Sequence, residues 1–188
     1  MIMIKKNLFA LLCLLTLTLA VKAQDKFFTK SGKIEFSSKA PMEDIEAHNR
    51  SVTTVLDTKT GNLQLSLQMK GFEFAKALMQ EHFNEDFVES DKYPKAEFRG
   101  SIVNNSDVNY MRDGDYPIKV KGALTLHGVT REVESDGRIM VKEGKLLSTS
   151  DFAVQIGDYN ISIPSLVREK VSKTVTIKVD CVLIPLGN

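Results

Sequence analysis

Three histidines, His48, His82 and His127, are the side chains best suited to acid–base work or metal binding, and their placement argues against both. They lie in separate segments, and none has a second His or Cys at the spacing a metal site uses. His82 shares its segment with Glu81 and Glu85, which reads as a solvated charged face. His127 precedes Gly128, where a role in a turn is simpler than a role as a base. No glycine-rich phosphate loop and no G-x-S-x-G elbow occurs. Serines and aspartates are plentiful, but a triad of scattered residues can be drawn in almost any sequence. What remains is the chemistry of apolar association, carried by Phe, Met and Leu.

These residues concentrate between Gly61 and Phe98. Leu63, Leu65, Leu67 and Met69 alternate with Gln64, Ser66, Gln68 and Lys70, the period of a strand with one face buried and one in water. After Gly71 the spacing changes: Ala75, Leu78, Met79, Phe83 and Phe87 recur at three and four residues, as on one stripe of an amphipathic helix. Alternation also marks Ile34 with Phe36, Ala96 to Ile102, Ile118 to Leu126, Phe152 to Ile156 and Val175 to Cys181. Turn signals separate these runs at Asp57 to Gly61, Asn104 to Asp107, Asp113-Gly114-Asp115, Asp136-Gly137, Glu143-Gly144 and Gly157-Asp158. Cys181, on the apolar side of the last run, reads as a small buried residue.

At the N-terminus, Lys5 and Lys6 precede an apolar run from Leu8 to Ala20, and Val21-Lys22-Ala23 fits a small-residue cleavage site. The run of about 13 residues is shorter than the roughly 20 of a spanning helix. Residues 1–23 are therefore expected to be a removable signal, leaving residues 24–188 as one exported domain with no stable membrane insertion. Cys13 lies inside the run, behind Leu12 and not a small residue, and so does not read as a lipidation site. Cleavage removes Lys5, Lys6 and Lys22, which leaves 22 basic against 24 acidic residues, a formal charge of −2. Such a balance gives no basic face for nucleic acid and no polybasic membrane patch. Cys181 is the one cysteine left, so no internal disulfide is expected, and the core must supply the stability.

Short alternating strands with frequent turns, and no repeat or linker, predict a mainly β domain: an antiparallel eight-stranded barrel with one or two short helices. Such a barrel either fills with its own side chains or holds one small ligand, and periodicity leaves the choice open.

The segment from His82 to Phe98, with Phe83, Phe87, Asp91-Lys92-Tyr93-Pro94 and Glu97-Phe98, resembles the central signature of the YceI-like family. The block from Gly122 to Arg131, Gly-Ala-Leu-Thr-Leu-His-Gly-Val-Thr-Arg, is similar to that family's Leu-Thr-Ile-x-Gly-x-Thr-Lys hairpin. The resemblance implies an extended lipocalin-like barrel, usually periplasmic, that encloses an isoprenoid or other long amphiphile in a lengthwise apolar tunnel. Between Phe36 and Arg50 the chain lacks the Asp-x-x-His-Ser opening of many relatives, so the resemblance carries the tunnel but not the identity of the lipid. The expected lining is Phe36, Leu65, Leu67, Met69, Phe72, Phe74, Met79, Phe83, Phe98, Leu124, Leu126, Phe152, Ile161 and Ile163, each of which would equally serve core packing. Met79 and Phe83, on the helix, are the candidates for a lid. The segment from Ile161 to Leu166 is an ordinary connection or a gate at the barrel mouth, the connection being preferred. The expected partner is an isoprenoid or fatty lipid, with no cofactor and no metal, and a homodimer is left open.

Overall fold

Nine strands form in the computed structural model, which describes residues 25–39, 44–163 and 171–187. They are β1 (Lys26–Lys39), β2 (Asp44–Asp57), β3 (Asn62–Gln68), β4 (Glu73–Phe74), β5 (Lys95–Ile102), β6 (Gly114–Leu126), β7 (Val129–Lys142), β8 (Lys145–Gln155) and β9 (Thr174–Pro185). One α-helix, α1 (Ala77–His82), lies between β4 and β5. The order β1-β9-β8-β7-β6-β5-β3-β2 returns to β1, with every pairing antiparallel, so eight strands close into a barrel. β4 extends the lane of β3 along β2, pairing Phe74 with Ala47 and Glu73 with His48. Among the described residues, no helix is long and apolar enough to cross a membrane. The expected signal segment, and the part of the proposed gate from Pro164 onward, lie outside the described residues.

Three local features shape the wall. β1 bulges between Thr29 and Ile34, and Gly32 sits there because a Cβ would stand 2.6 Å from Cys181 Sγ. Gly100 of β5 faces Gly122 of β6, where a Cβ on Gly122 would come within 2.4 Å of the Gly100 Cα. β7 pairs with β8 only from Gly137–Ser150 to Lys142–Lys145, so the strands part toward the other end. There Arg131 Nε donates to the Asp158 carbonyl at 3.1 Å and ties β7 to the turn that follows β8.

Inward-facing residues form two packed ends. At the lower end Leu56, Ile139, Leu146 and Leu183 are fully buried beside Val141, and Val108, from the β5–β6 connection, plugs the barrel against them. That connection is pinned by Tyr110, whose hydroxyl donates to Asn105 Oδ1 at 2.7 Å, while Asn105 Nδ2 donates to the Thr58 carbonyl at 2.9 Å. Burial pushes the Tyr110 phenol up to about 12. At the upper end Ala47, Val52, Leu67, Met69, Phe72, Leu124, Val154 and Ile156 form the second cluster.

Four local expectations are corrected. Asp136-Gly137 is not a turn but lies inside β7, where Gly137 faces Ile118 and Ser150; a Cβ there would meet the Thr149 carbonyl at 2.7 Å, so the glycine permits close strand approach. The apolar stripe from Ala75 to Phe87 is not one helix. α1 gives way to a π-helical turn over Phe83–Phe87, closed by the Val88 amide donating to the Phe83 carbonyl at 3.0 Å. Leu78, placed on that stripe, is 61% exposed. β3 ends at Gln68, and Met69 opens a short 3₁₀ turn while remaining buried.

Candidate ligand cavity in the barrel

Strand alternation sends every second side chain of the wall inward, and between the two packed ends these side chains leave a cavity of about 460 Å³. Thirteen of the expected lining residues border it: Phe36, Leu65, Leu67, Met69, Phe72, Phe74, Met79, Phe83, Phe98, Leu124, Leu126, Phe152 and Ile161. Ile163 does not. It is half-buried and packs against the upper cluster, two residues beyond Ile161. The rest of the wall includes Ile34, Ala96, Val120, Val154 and Ile177, inward residues of strands whose alternation points to them too, and Val133 of β7, which no alternating run marks.

The upper end of the cavity is aromatic. Phe36 of β1 meets Phe72, Phe74 and Phe83 at centroid distances of 5.3, 5.7 and 5.5 Å, and Phe83 meets Phe74 at 5.0 Å. These are the offset and edge-on separations at which rings attract. Phe72 is buried, being drawn in by the 3₁₀ turn Met69–Gly71. That turn is held by Asn49 of β2, which is 1% exposed and whose Nδ2 donates to the Gln68 carbonyl at 2.9 Å. The wide π-helical turn points Phe83 and Phe87 into the cavity together. α1 has no fully buried residue, so a helix covering the opening is held mainly by the rings that follow it.

The histidines remain apart. His48 Nε2 lies 3.1 Å from Glu73 Oε2 on the outer surface, and His82 is exposed at the rim of the cavity. His127 is buried with φ +50 in the β6–β7 hairpin; its ring bonds the Tyr159 carbonyl at 3.0 Å and Glu89 at 2.8 Å, so it acts in the turn and connects neighbouring loops. Among the described residues no three His, Cys, Asp or Glu side chains gather as a metal site would require. Cys181 is 1% exposed, its Sγ 3.4 Å from Thr54 Oγ1, and burial raises its pKa, the opposite of an activated thiol. Sequence reasoning missed the polar residues deep in the cavity, Thr54, Ser135, Ser148 and Ser150, since a serine on the inward parity of a strand gives no signal of its own.

The fold is shared with solved structures of low sequence identity. The polyisoprenoid-binding domain from Saccharophagus degradans implicated in plant cell wall breakdown matches with a TM-score of 0.75 at 13% identity, over 87% of this chain and 100% of that one. BcnA of Burkholderia cenocepacia matches at 0.65 and 16%, covering 81% of this chain and 95% of that one, and the YceI protein of Campylobacter jejuni at 0.60 and 16%, covering 77% and 86%. No curated protein matches the chain in sequence. The model of the YceI-like domain matches residues 16–183, which takes in every strand of the closed barrel but the end of the last, and with it the whole cavity wall: the chain belongs to the YceI-like family.

Proposed function

We propose that this protein is an exported binding protein that holds an isoprenoid or other long-chain amphiphile inside the barrel, as its carrier or buffer. The observation that carries the reading is the apolar cavity of about 460 Å³ beneath the aromatic cluster. Its size falls within the roughly 300–1,000 Å³ of ligand pockets. The polyisoprenoid-binding domain of S. degradans, with the same fold, supports the choice of ligand class. Area alone can hold such a chain: at about 0.8 kcal/mol per buried methylene, a chain of roughly 20 carbons gains on the order of 16 kcal/mol gross. Ordering the chain and losing its free motion take back a large part, which leaves micromolar or tighter binding within reach. Export is supported by the lysine-flanked apolar run before Gln24. A barrel filled by its own side chains is the competing reading, and the open interior counts against it.

The test is native mass spectrometry of the purified protein, followed by organic extraction and identification of what is released. We expect a stoichiometric adduct that leaves with solvent and is lost in Leu67→Asp, which sets a carboxylate in the wall. A clean unliganded mass that does not change after incubation with isoprenoid quinones and fatty acids would overturn the reading.

A further inference from the structure

The deep end of the cavity carries a layer of hydroxyls. Thr54 of β2, Ser148 of β8 and Cys181 of β9 line the cavity two residues from Leu56, Leu146 and Leu183, fully buried residues of the lower core; Ser150 lies one rung higher, opposite Gly137, and Ser135 two residues further along β7. Polar side chains turned into an apolar barrel cost free energy unless they find partners, and alanine or valine would pack these positions more cheaply. Ser150 donates to the Asp136 carbonyl at 2.9 Å, which uses its proton, so its 2.8 Å contact with Ser135 is donated by Ser135. Thr54 bonds the Cys181 thiol. The Ser148 hydroxyl makes no hydrogen bond to any described residue, and Ser135 keeps lone pairs to offer. The charged residues on the lining stand elsewhere. Lys76 and His82 flank α1 at the upper end, and Glu97 belongs to the outer row of β5, where it pairs with Arg99.

We propose that this layer is a head-group subsite: the ligand lies head-down, with an uncharged hydroxyl or carbonyl head bonded to Ser148 and Ser135 and its chain rising past Leu65, Phe98 and Phe152 toward the aromatic cluster. The proposal rests on the lipid-binding reading and adds the orientation and chemical class of the cargo. A serine hydroxyl rotates to donate to a carbonyl or to accept from an alcohol, so Ser148 suits either head. A phosphate or carboxylate head would bring a charge to a depth where no cation among the described lining residues meets it, and its desolvation would go unrepaid.

The experiment compares three probes on the delipidated protein: geranylgeraniol, geranylgeranyl phosphate and phytane, a hydrocarbon of the same carbon number with no head. Affinities are read by displacement of a fluorescent polyene. Geranylgeraniol should bind about tenfold tighter than either other probe, the scale of one buried hydrogen bond. The double substitution Ser135→Ala with Ser148→Ala should erase that preference while phytane binding stays unchanged, which also reports that the variant is folded. Equal binding of alcohol and hydrocarbon, or tighter binding of the phosphate, overturns the subsite and leaves lipid binding standing. Failure of all three to bind overturns both.

Discussion

His127 Nε2 lies 2.8 Å from Glu89 Oε2 while its Nδ1 lies 3.0 Å from the Tyr159 carbonyl. One side chain thus ties together the exit of the π-helical turn, the β6–β7 hairpin and the turn after β8. Tyr93 covers the imidazole edge-on, with ring centroids 4.3 Å apart. These three connections surround the open end of the barrel, and the link fixes where that end sits.

Acid should break this link from the Glu89 side. The hydrogen bond from His127, helped by the nearby Lys92, holds the Glu89 carboxyl below its ordinary value of 4.5. A group with a depressed folded-state pKa contributes stability that is complete above its unfolded value and lost as pH falls through the folded one. The thermal midpoint of the wild type should therefore drop more steeply below about pH 4.5 than that of Glu89→Gln, which keeps an acceptor but does not titrate. Parallel midpoint curves for the two proteins would refute the link.

The lower end responds to base. Tyr110, its phenol raised by burial to about 12, favours the neutral form in the folded state, so its contribution is full below pH 10 and drains away as pH rises through the folded value. An absorbance titration should show a late phenol step near 12 that Tyr110→Phe removes. If the variant keeps that step, the assignment to Tyr110 is wrong.

Gly100 and Gly122 let β5 and β6 cross closely enough for the ring of Phe98 to lie over the pair, since a Cβ on Gly100 would meet Phe98 Cζ at 2.6 Å and the Lys121 carbonyl at 2.3 Å. The carbonyl is backbone and cannot move aside cheaply, and a Cβ on Gly122 would meet backbone alone, the Gly100 Cα at 2.4 Å and the Arg99 carbonyl at 2.5 Å. Gly122→Ala should cost about 1–3 kcal/mol, the range for overpacking. Gly157→Ala, at a turn with nothing within 4 Å and no left-handed φ, should be neutral or stabilise by about 0.4–1 kcal/mol. Denaturant midpoints would check both, and an unchanged midpoint for Gly122→Ala would show that the strands can separate there.

The barrel was legible wherever alternation ran unbroken. β3, β5, β6 and β9 announce themselves through three or more inward apolar residues each, and the same parity identified the cavity wall. β2 was not legible, because its inward residues are Ala47 and Asn49 on one parity and Val52, Thr54 and Leu56 on the other: an irregularity near Arg50 and Ser51 shifts the register and leaves no long run. The upper half of β7 was hidden for another reason. Arg131, Glu132, Glu134 and Asp136 surround the lone Val133, and where β7 parts from β8 there is no tight sheet to demand a second apolar row. Asn49 looked like any polar residue, since its role depends on a carbonyl 19 positions away.

The aromatic cluster gives the lid its hold, and the two sides of the cluster should respond differently to truncation. Phe36 belongs to the wall and touches three rings, so Phe36→Ala should cost about 3 kcal/mol of global stability. Phe83 belongs to the cover. It packs on Phe36, Phe72 and Phe74, but α1 before it has no fully buried residue, so Phe83→Ala removes the main tie between cover and wall while leaving the barrel closed. Opening then needs only local disruption, which separates from global unfolding in native-state exchange. Amides of residues 77–87 should exchange about tenfold faster in Phe83→Ala, as expected for the loss of about 1.4 kcal/mol of local stability, while those of β3, β6 and β9 lose much less protection. Release of a bound polyene should accelerate with them, since changes at an opening act mainly on dissociation. Phe152→Ala, in the wall away from the cover, should weaken binding without changing exchange at α1. Were the α1 amides to keep their protection in Phe83→Ala, the cover would have to be anchored by contacts other than the rings, and the cavity's opening would have to be sought elsewhere, first at the parting of β7 and β8.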